Sequence, residues 1–396
     1  MAIVVLLLLI NLYVLKKYEI YRGWRYINKF YLLNLIIILV LFLFHMWEIN
    51  YFYPDNIFPF LDEMFFFQEG KYLSFDNLLD NFLDTYVLYL IFVKATIATG
   101  PAILLKVINI FVLSLLIIFL YIKYNRNDYL LLFFPLFLVY LYFLSYMNMR
   151  DTWILLFSFL LLNGITSLKK SNLVWTVLIA LGLWMLRPMF VVLILGSYGA
   201  ALFVKGNIKY KILSIITILL IVFVFYDFLV TQYGHYTSKV AGSNVDKRIE
   251  LLNVQEKLTP VSYLIAFVKQ FTTPLPTSKL NQMIFHGHSD NLYMIEISRV
   301  IMHTMFYFLI IFTVVHFRSF KIFLSSSLFN QMFFWFALAN SVVYTFYRMG
   351  SGSSRNKVLP IILLFVFFVQ YYKWKKQYKE HLTFKEFLVT NVAILE

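Results

Sequence analysis

The sequence predicts an all-α, polytopic integral membrane protein, and three observations carry that expectation. Only 14% of the residues are charged, while 61% are hydrophobic and 20% aromatic; ordinary soluble domains carry about 25% charged residues. Long apolar runs recur from one end of the chain to the other. Lysine and arginine concentrate in alternate connections between those runs, as in a chain that crosses a bilayer back and forth. Helices are expected over barrel strands because most runs exceed strand length, and because backbone polar groups in hydrocarbon must find partners within their own segment.

Taken in order, the apolar runs fall at about 2–15, 31–49, 101–122, 129–147, 152–167, 172–186, 188–204, 212–231, 298–315, 326–346 and 358–372. They predict about 11 transmembrane helices in a single polytopic domain covering 1–396. The first run, MAIVVLLLLINLYVL, lacks a basic n-region and an A-x-A-like cleavage site, so it reads as a retained span and not as a signal peptide. The run 85–98, TYVLYLIFVKATIA, is short and carries Lys94; it reads as an amphipathic or re-entrant juxtamembrane helix on the outer side. With no cysteine in the chain there is no disulfide framework, no thiolate nucleophile and no cysteine metal site.

The net charge of +14 raises the question of nucleic acid. Its distribution answers it. The connections at 16–29, 123–126, 169–170, 205–211 and 318–321 and the tail 373–396 hold 19 of the 34 Lys and Arg, against the five acids Glu19, Asp128, Glu380, Glu386 and Glu396. The excess is therefore a signal of membrane topology, and no nucleic-acid partner is expected. It places the N-terminus outside, the C-terminal tail in the cytoplasm, and the outward loops at 50–100, 150–151, 187–188, 232–297 and 347–357. Nearly all sequence complexity lies in those outward loops.

The stretch 50–84 of the first outer loop carries Asp55, Asp62, Glu63, Glu69, Asp76, Asp80 and Asp84 against Lys71 alone. Asp62 and Glu63 precede the apolar Phe65, Phe66 and Phe67, which suggests a short helix along the membrane surface. A carboxylate half-sunk among aromatic rings gains basicity by desolvation, as a general base requires. Ordinary charge on an interfacial helix is the alternative. Arg150-Asp151 lies between two apolar runs; Asp151 suits a helix N-cap, and Arg150 suits a phosphate. Arg187, in the L-R-P turn, sits at a depth where a cation needs a partner or water, or it snorkels. In YRMGSGSSRNKVLP, Arg348, Arg355 and Lys357 surround small residues that let backbone amides approach an anion; a flexible basic loop is the alternative. His286, His288 and Asp290 are a thin ligand set for a divalent cation. No cofactor is otherwise called for.

These features together resemble the polytopic GT-C glycosyltransferases and the Wzy-type polymerases of O-antigen and capsule polysaccharide. The likeness rests on the acidic first outer loop with its D-E pair (Asp62, Glu63) and the G-P-x-x-L-L-K entry from Gly100 to Lys106. It continues through Arg150-Asp151, the Leu186–Pro188 turn, Pro274 and Pro276, and G-x-x-R-x-K-x-x-P from Gly352 to Pro360. It runs loosely over about 50–372. There is no added soluble outer domain, and the long arginine-rich loops of some polymerases are not matched.

The resemblance implies an enzyme of the bacterial inner membrane. It would transfer sugars carried on polyprenyl phosphate or pyrophosphate, at the outer face, in surface polysaccharide biosynthesis. It implies Asp62, supported by Glu63, as base, and Arg150, Arg187 and Arg355 as holders of the lipid-linked glycan. Partners would be the glycan donor and acceptor, membrane lipids and other polysaccharide-assembly proteins. A polysaccharide or lipid-glycan transporter and a non-catalytic membrane scaffold are the rival readings.

Overall fold

The computed structural model describes residues 2–20, 28–74, 86–167, 172–204, 208–224, 293–348 and 354–392, with fragments between 264 and 272. The described residues form sixteen helices and no strand. They are α1 (Ala2–Lys17), α2 (Lys29–Phe52), α3 (Leu61–Tyr72), α4 (Val87–Thr99), α5 (Leu104–Lys123), α6 (Asp128–Phe137), α7 (Val139–Tyr146) and α8 (Asp151–Thr166). There follow α9 (Leu173–Leu186), α10 (Pro188–Val204), α11 (Ile208–Val224), α12 (Tyr293–Val315), α13 (Phe317–Ser325), α14 (Leu328–Arg348), α15 (Ser354–Gln377) and α16 (Phe384–Val392).

Among the described residues four helices are long and apolar enough to cross a membrane: α2, α5, α12 and the Lys357–Gln377 part of α15. They match the expected runs 31–49, 101–122, 298–315 and 358–372. The count rises to six if each of two bent pairs is one span. The run expected as one helix over 129–147 is α6 and α7, which meet at 71°. The run at 326–346 is α14, with α13 ahead of it at 114°. The expected figure of about eleven exceeds this range because the runs at 2–15, 152–167, 172–186 and 188–204 are α1, α8, α9 and α10, apolar but only 16, 16, 14 and 17 residues long, and α11 is described over 17 residues. At 1.5 Å per residue these reach about 21–26 Å, short of a hydrocarbon core of about 30 Å.

Particular residues set the boundaries. The Asn28 side chain caps α2 by accepting from the Phe30 and Tyr31 amides at 3.0 and 3.2 Å. Asn127 caps α6 through the Tyr129 amide at 3.1 Å, as short polar side chains do at helix starts. Pro188 opens α10, and Arg187 before it is extended, the conformation that a following proline favours. Pro135 sits inside α6 and has no N–H for the Leu131 carbonyl. Asn34 Nδ2 donates to that carbonyl instead, at 2.6 Å, while the Tyr142 hydroxyl donates to Asn34 Oδ1 at 2.6 Å. One proline thus bends the chain, and a buried asparagine from α2 satisfies the group it frees.

End-to-end contacts sort the bundle into two poles. At one, Arg126 lies 3.7 Å from Glu19, Lys123 Nζ donates to Asn163 Oδ1 at 2.8 Å, and Tyr124 bonds Asn330 and Gln370. Lys16 and Lys17 just precede Glu19, Lys376 Nζ lies 5.5 Å from the Tyr129 ring centre, and the Phe323 ring lies 6.5 Å from that of Tyr124, so these fall at this pole. At the other pole α3 packs beside α4, Lys106 meets Glu63 and Arg150 meets Phe66 of α3, and Arg187 follows the Leu186 carbonyl that Arg150 bonds. The core between the poles is strongly aromatic: Phe137 meets Phe365 and Phe368, and Phe312 meets Phe367, Phe368 and Tyr371.

Candidate functional site

The site is built around α3. Glu63 is fully buried and accepts from Lys106 Nζ at 2.8 Å, with both side chains at 0% exposure. The Asn148 amide also donates to Glu63 Oε1, at 2.7 Å, and Asn148 Nδ2 donates to the Glu63 carbonyl at 3.1 Å. Lys106 lies 5.4 Å from the centre of the Phe58 ring. A buried ion pair owes its persistence to such added bonds, because desolvation otherwise cancels the attraction. The residue pattern explains the inward turn of Glu63: it shares one helix face with Phe66 and Gly70, which are also buried, while Asp62, Phe65, Gln68 and Glu69 are exposed.

The same network fixes the non-helical turn before α8. Its carbonyls need donors that no helix supplies. Asn109 Nδ2 donates to the Met147 and Met149 carbonyls at 2.7 and 2.8 Å, and Trp153 Nε1 donates to Asn109 Oδ1 at 2.8 Å. The Tyr89 hydroxyl donates to Asn148 Oδ1 at 2.8 Å. Side chains from α4, α5 and α8 therefore hold the turn that carries Arg150.

Arg150 stands at the N-cap position of α8 without a side-chain capping bond and reaches across to the end of α9, where its Nη1 donates to the Leu186 carbonyl at 2.6 Å. Its guanidinium lies 5.1 Å from the Tyr86 ring centre and 5.7 Å from that of Phe66. Arg187, one residue beyond Leu186, lies 5.2 Å from the rings of both Phe190 and Tyr344. Burial pulls Arg150 down to about 10, and the like charge of Arg187 pulls the same way, with Asp151 opposing. Two guanidinium groups are thus brought near each other among four aromatic rings. Such planar donors bind phosphate or carboxylate in bidentate fashion, and rings stack beneath them. Tyr86 supplies its ring from a left-handed backbone, φ 71°, a conformation that costs a non-glycine residue about 1 kcal/mol or more.

Among the other expected site residues, Asp62 stays on the exposed side of α3. Asp151 is not the N-cap but the first helical residue of α8, where a carboxylate favours the helix dipole. Lys357 is buried in the first turn of α15. The backbones of Arg348 and Arg355 end α14 and begin α15; their side chains lie outside what the structure describes. His286, His288 and Asp290 fall outside the described residues, as do Asp76, Asp80 and Asp84. Among the described residues no group of three or more His, Asp or Glu is placed to hold a metal.

No protein-family model, curated protein or solved structure matches the chain. The site is therefore read from its own residues.

Sequence reasoning missed most of the supporting network. Lys106 stood out only as the end of a G-P-x-x-L-L-K string, though a lysine inside an apolar run is itself a signal of a buried partner. Asn109, Asn148 and Tyr89 gave no signal. A second buried ionisable group also went unseen: Glu296 bonds Arg299, whose guanidinium lies 5.7 Å from the Tyr140 ring centre. Nearby, the Glu48 carboxylate accepts from the Met294 amide at 3.3 Å.

Proposed function

We propose that the protein is a membrane-embedded glycan transferase or polymerase of surface polysaccharide assembly. Its donor is a sugar or repeat unit on polyprenyl phosphate or pyrophosphate, met at the outer face of a bacterial inner membrane. The chain crosses that membrane about eleven times, with some crossings made by short helices, and the tail is cytoplasmic. The observation that carries the reading is that Arg150 reaches the Leu186 carbonyl, one residue before Arg187, with each arginine set against aromatic rings. Two guanidinium groups so placed stabilise a departing phosphate as its charge grows.

In this reading the two acids of the D-E pair divide the work. Glu63 is committed to Lys106 and Asn148 and anchors α3. Asp62, on the exposed side of the same turn, takes the proton from the acceptor hydroxyl. General-base help of this kind contributes about 10²–10⁴ in rate. The test is a gel of surface polysaccharide from a deletion strain complemented with variants. Asp62→Asn, Arg150→Ala and Arg187→Ala each abolish the polymer ladder while the protein still inserts in the membrane. A full ladder from the Asp62→Asn strain removes Asp62 as the base.

A transporter of lipid-linked glycan is the second reading, and one observation favours it: His45, Glu48, Lys106 and Glu296 are all buried within the bundle, as ionisable groups of transport pathways are. Proteoliposomes separate the two. New glycosidic bonds mark the transferase, and movement of glycan without new bonds marks the transporter.

A further inference from the structure

Two short helices lie together at the pole opposite α3. The first, α13, follows α12 and meets α14 at 114°, so it runs across the direction of α14. Its sequence, FRSFKIFLS, has two faces. Phe320 and Phe323 are buried, with their rings 5.1 and 5.6 Å from that of Phe367. Arg318 and Lys321 face outward, as does Phe317, which is 62% exposed.

The second helix, α16, is built the same way. Phe384, Phe387 and Leu388 are buried. The Phe384 ring packs 5.3 Å from Trp374 and 5.5 Å from Tyr371. Lys385 and Val389 face outward. A capping box starts the helix: Glu386 Oε2 accepts from the Thr383 amide and hydroxyl at 2.8 and 2.7 Å, and the Glu386 amide donates to Thr383 Oγ1 at 3.3 Å. The two helices touch. Their apolar faces are thus committed to the bundle. What remains outward is cationic, with Lys375, Lys376 and Lys379 beside them and Glu380 and Glu386 as the nearby acids. Glu386 is already occupied by its cap.

A surface of this composition, carried crosswise at the end of spanning helices, faces one anionic layer at close range. We propose that the α13–α16 platform rests on the headgroup layer of an anionic lipid leaflet. Arg318, Lys321 and Lys385 contact lipid phosphates, and Phe317 and Val389 reach the acyl boundary. Basic side chains near such a surface add affinity in steps of about fivefold each, and aromatic and aliphatic side chains beside them anchor an interfacial helix. The inference needs only that α12 and α15 cross the membrane, and it stands or falls apart from the glycan reading.

The experiment is amide exchange on the full chain in nanodiscs of phosphatidylcholine alone and of phosphatidylcholine mixed with phosphatidylglycerol. Anionic lipid slows exchange across 317–325 and 384–392 by about fivefold or more, and high salt reverses the slowing. The triple variant Arg318→Gln, Lys321→Gln, Lys385→Gln shows no slowing, while exchange in α5, which reports the intact bundle, is unchanged. Phe317→Ser weakens protection without removing its dependence on lipid charge. Equal exchange of the unaltered chain in the two lipids overturns the proposal. So does slowing that appears only with an added soluble protein, which marks a protein partner.

Discussion

Glu63 and Asp62 are neighbours in the sequence and face opposite ways on α3. The difference decides what each substitution does. Glu63→Gln leaves Lys106 as a buried cation without its carboxylate, which costs about 3–5 kcal/mol. Thermal unfolding in detergent should show a large fall for Glu63→Gln and recovery of much of it in Glu63→Leu, Lys106→Met, where no buried charge is stranded. An unchanged midpoint for Glu63→Gln would mean that the pair does not anchor α3. Part of this was legible: the spacing of Glu63, Phe66 and Gly70 is that of one helix face. The run of three phenylalanines masked it, because apolar residues at consecutive positions point to every face at once. The partnership with Lys106, 43 residues away, depends on tertiary packing and left no local trace. Arg150 and Arg187 were each legible as cations at breaks between apolar runs. Their approach was not, because it depends on how α8 and α9 fold back on each other.

At the scale of elements, the contact between α3 and α4 turns on Gly70. A Cβ built there falls 2.4 Å from Val93 Cγ1 and 2.7 Å from Val93 Cβ, closer than packed carbons allow. Gly70→Ala therefore forces the two helices apart at a cost of about 1–3 kcal/mol. Combined with Val93→Ala, only part of that loss returns, since the methyl group at 2.4 Å is gone while the Cβ at 2.7 Å stays. The coupling is measured by a double-mutant cycle on unfolding midpoints, and simple additivity of the two changes would refute the close approach. Displacing α4 also moves Tyr86, whose ring lies 5.1 Å from the Arg150 guanidinium. The helical character of the 85–98 run was legible from its apolar content, and Lys94 marked it as unlike the spans. Its side-by-side packing with α3 was not legible, because a valine in an apolar run reads as lipid-facing filler.

For the whole molecule, helical class and membrane character were legible from composition alone. The number of crossings was not. Hydropathy reports how greasy a segment is, and it does not report the 71° bend between α6 and α7; the shortness of α8, α9 and α10 was already visible in the runs 152–167, 172–186 and 188–204. The charge pattern makes a sharper claim, that the α3 pole and the basic pole face opposite sides of the membrane. The absence of cysteine from the chain gives a clean test. A single Asp62→Cys is labelled by an impermeant maleimide added to intact cells, and a single Lys379→Cys is labelled only after the cells are opened. Labelling of both from outside would break the two-pole arrangement.

The unequal lengths of the helices have a consequence for the lipid itself. The outward side of α2 belongs to a helix of 24 residues, while α9, whose exposed Leu173, Trp175, Leu178 and Leu181 face outward, has 14. Their lengths are about 36 and 21 Å. If α9 is one of the proposed short crossings, a bilayer matched to both sides is thicker beside α2 and pinched beside α9. The pinch draws headgroups and water down toward the end of α9, where Arg187 stands. The protein would then lower the membrane surface toward its arginines, and an anionic headgroup would have less hydrocarbon to cross on its way in.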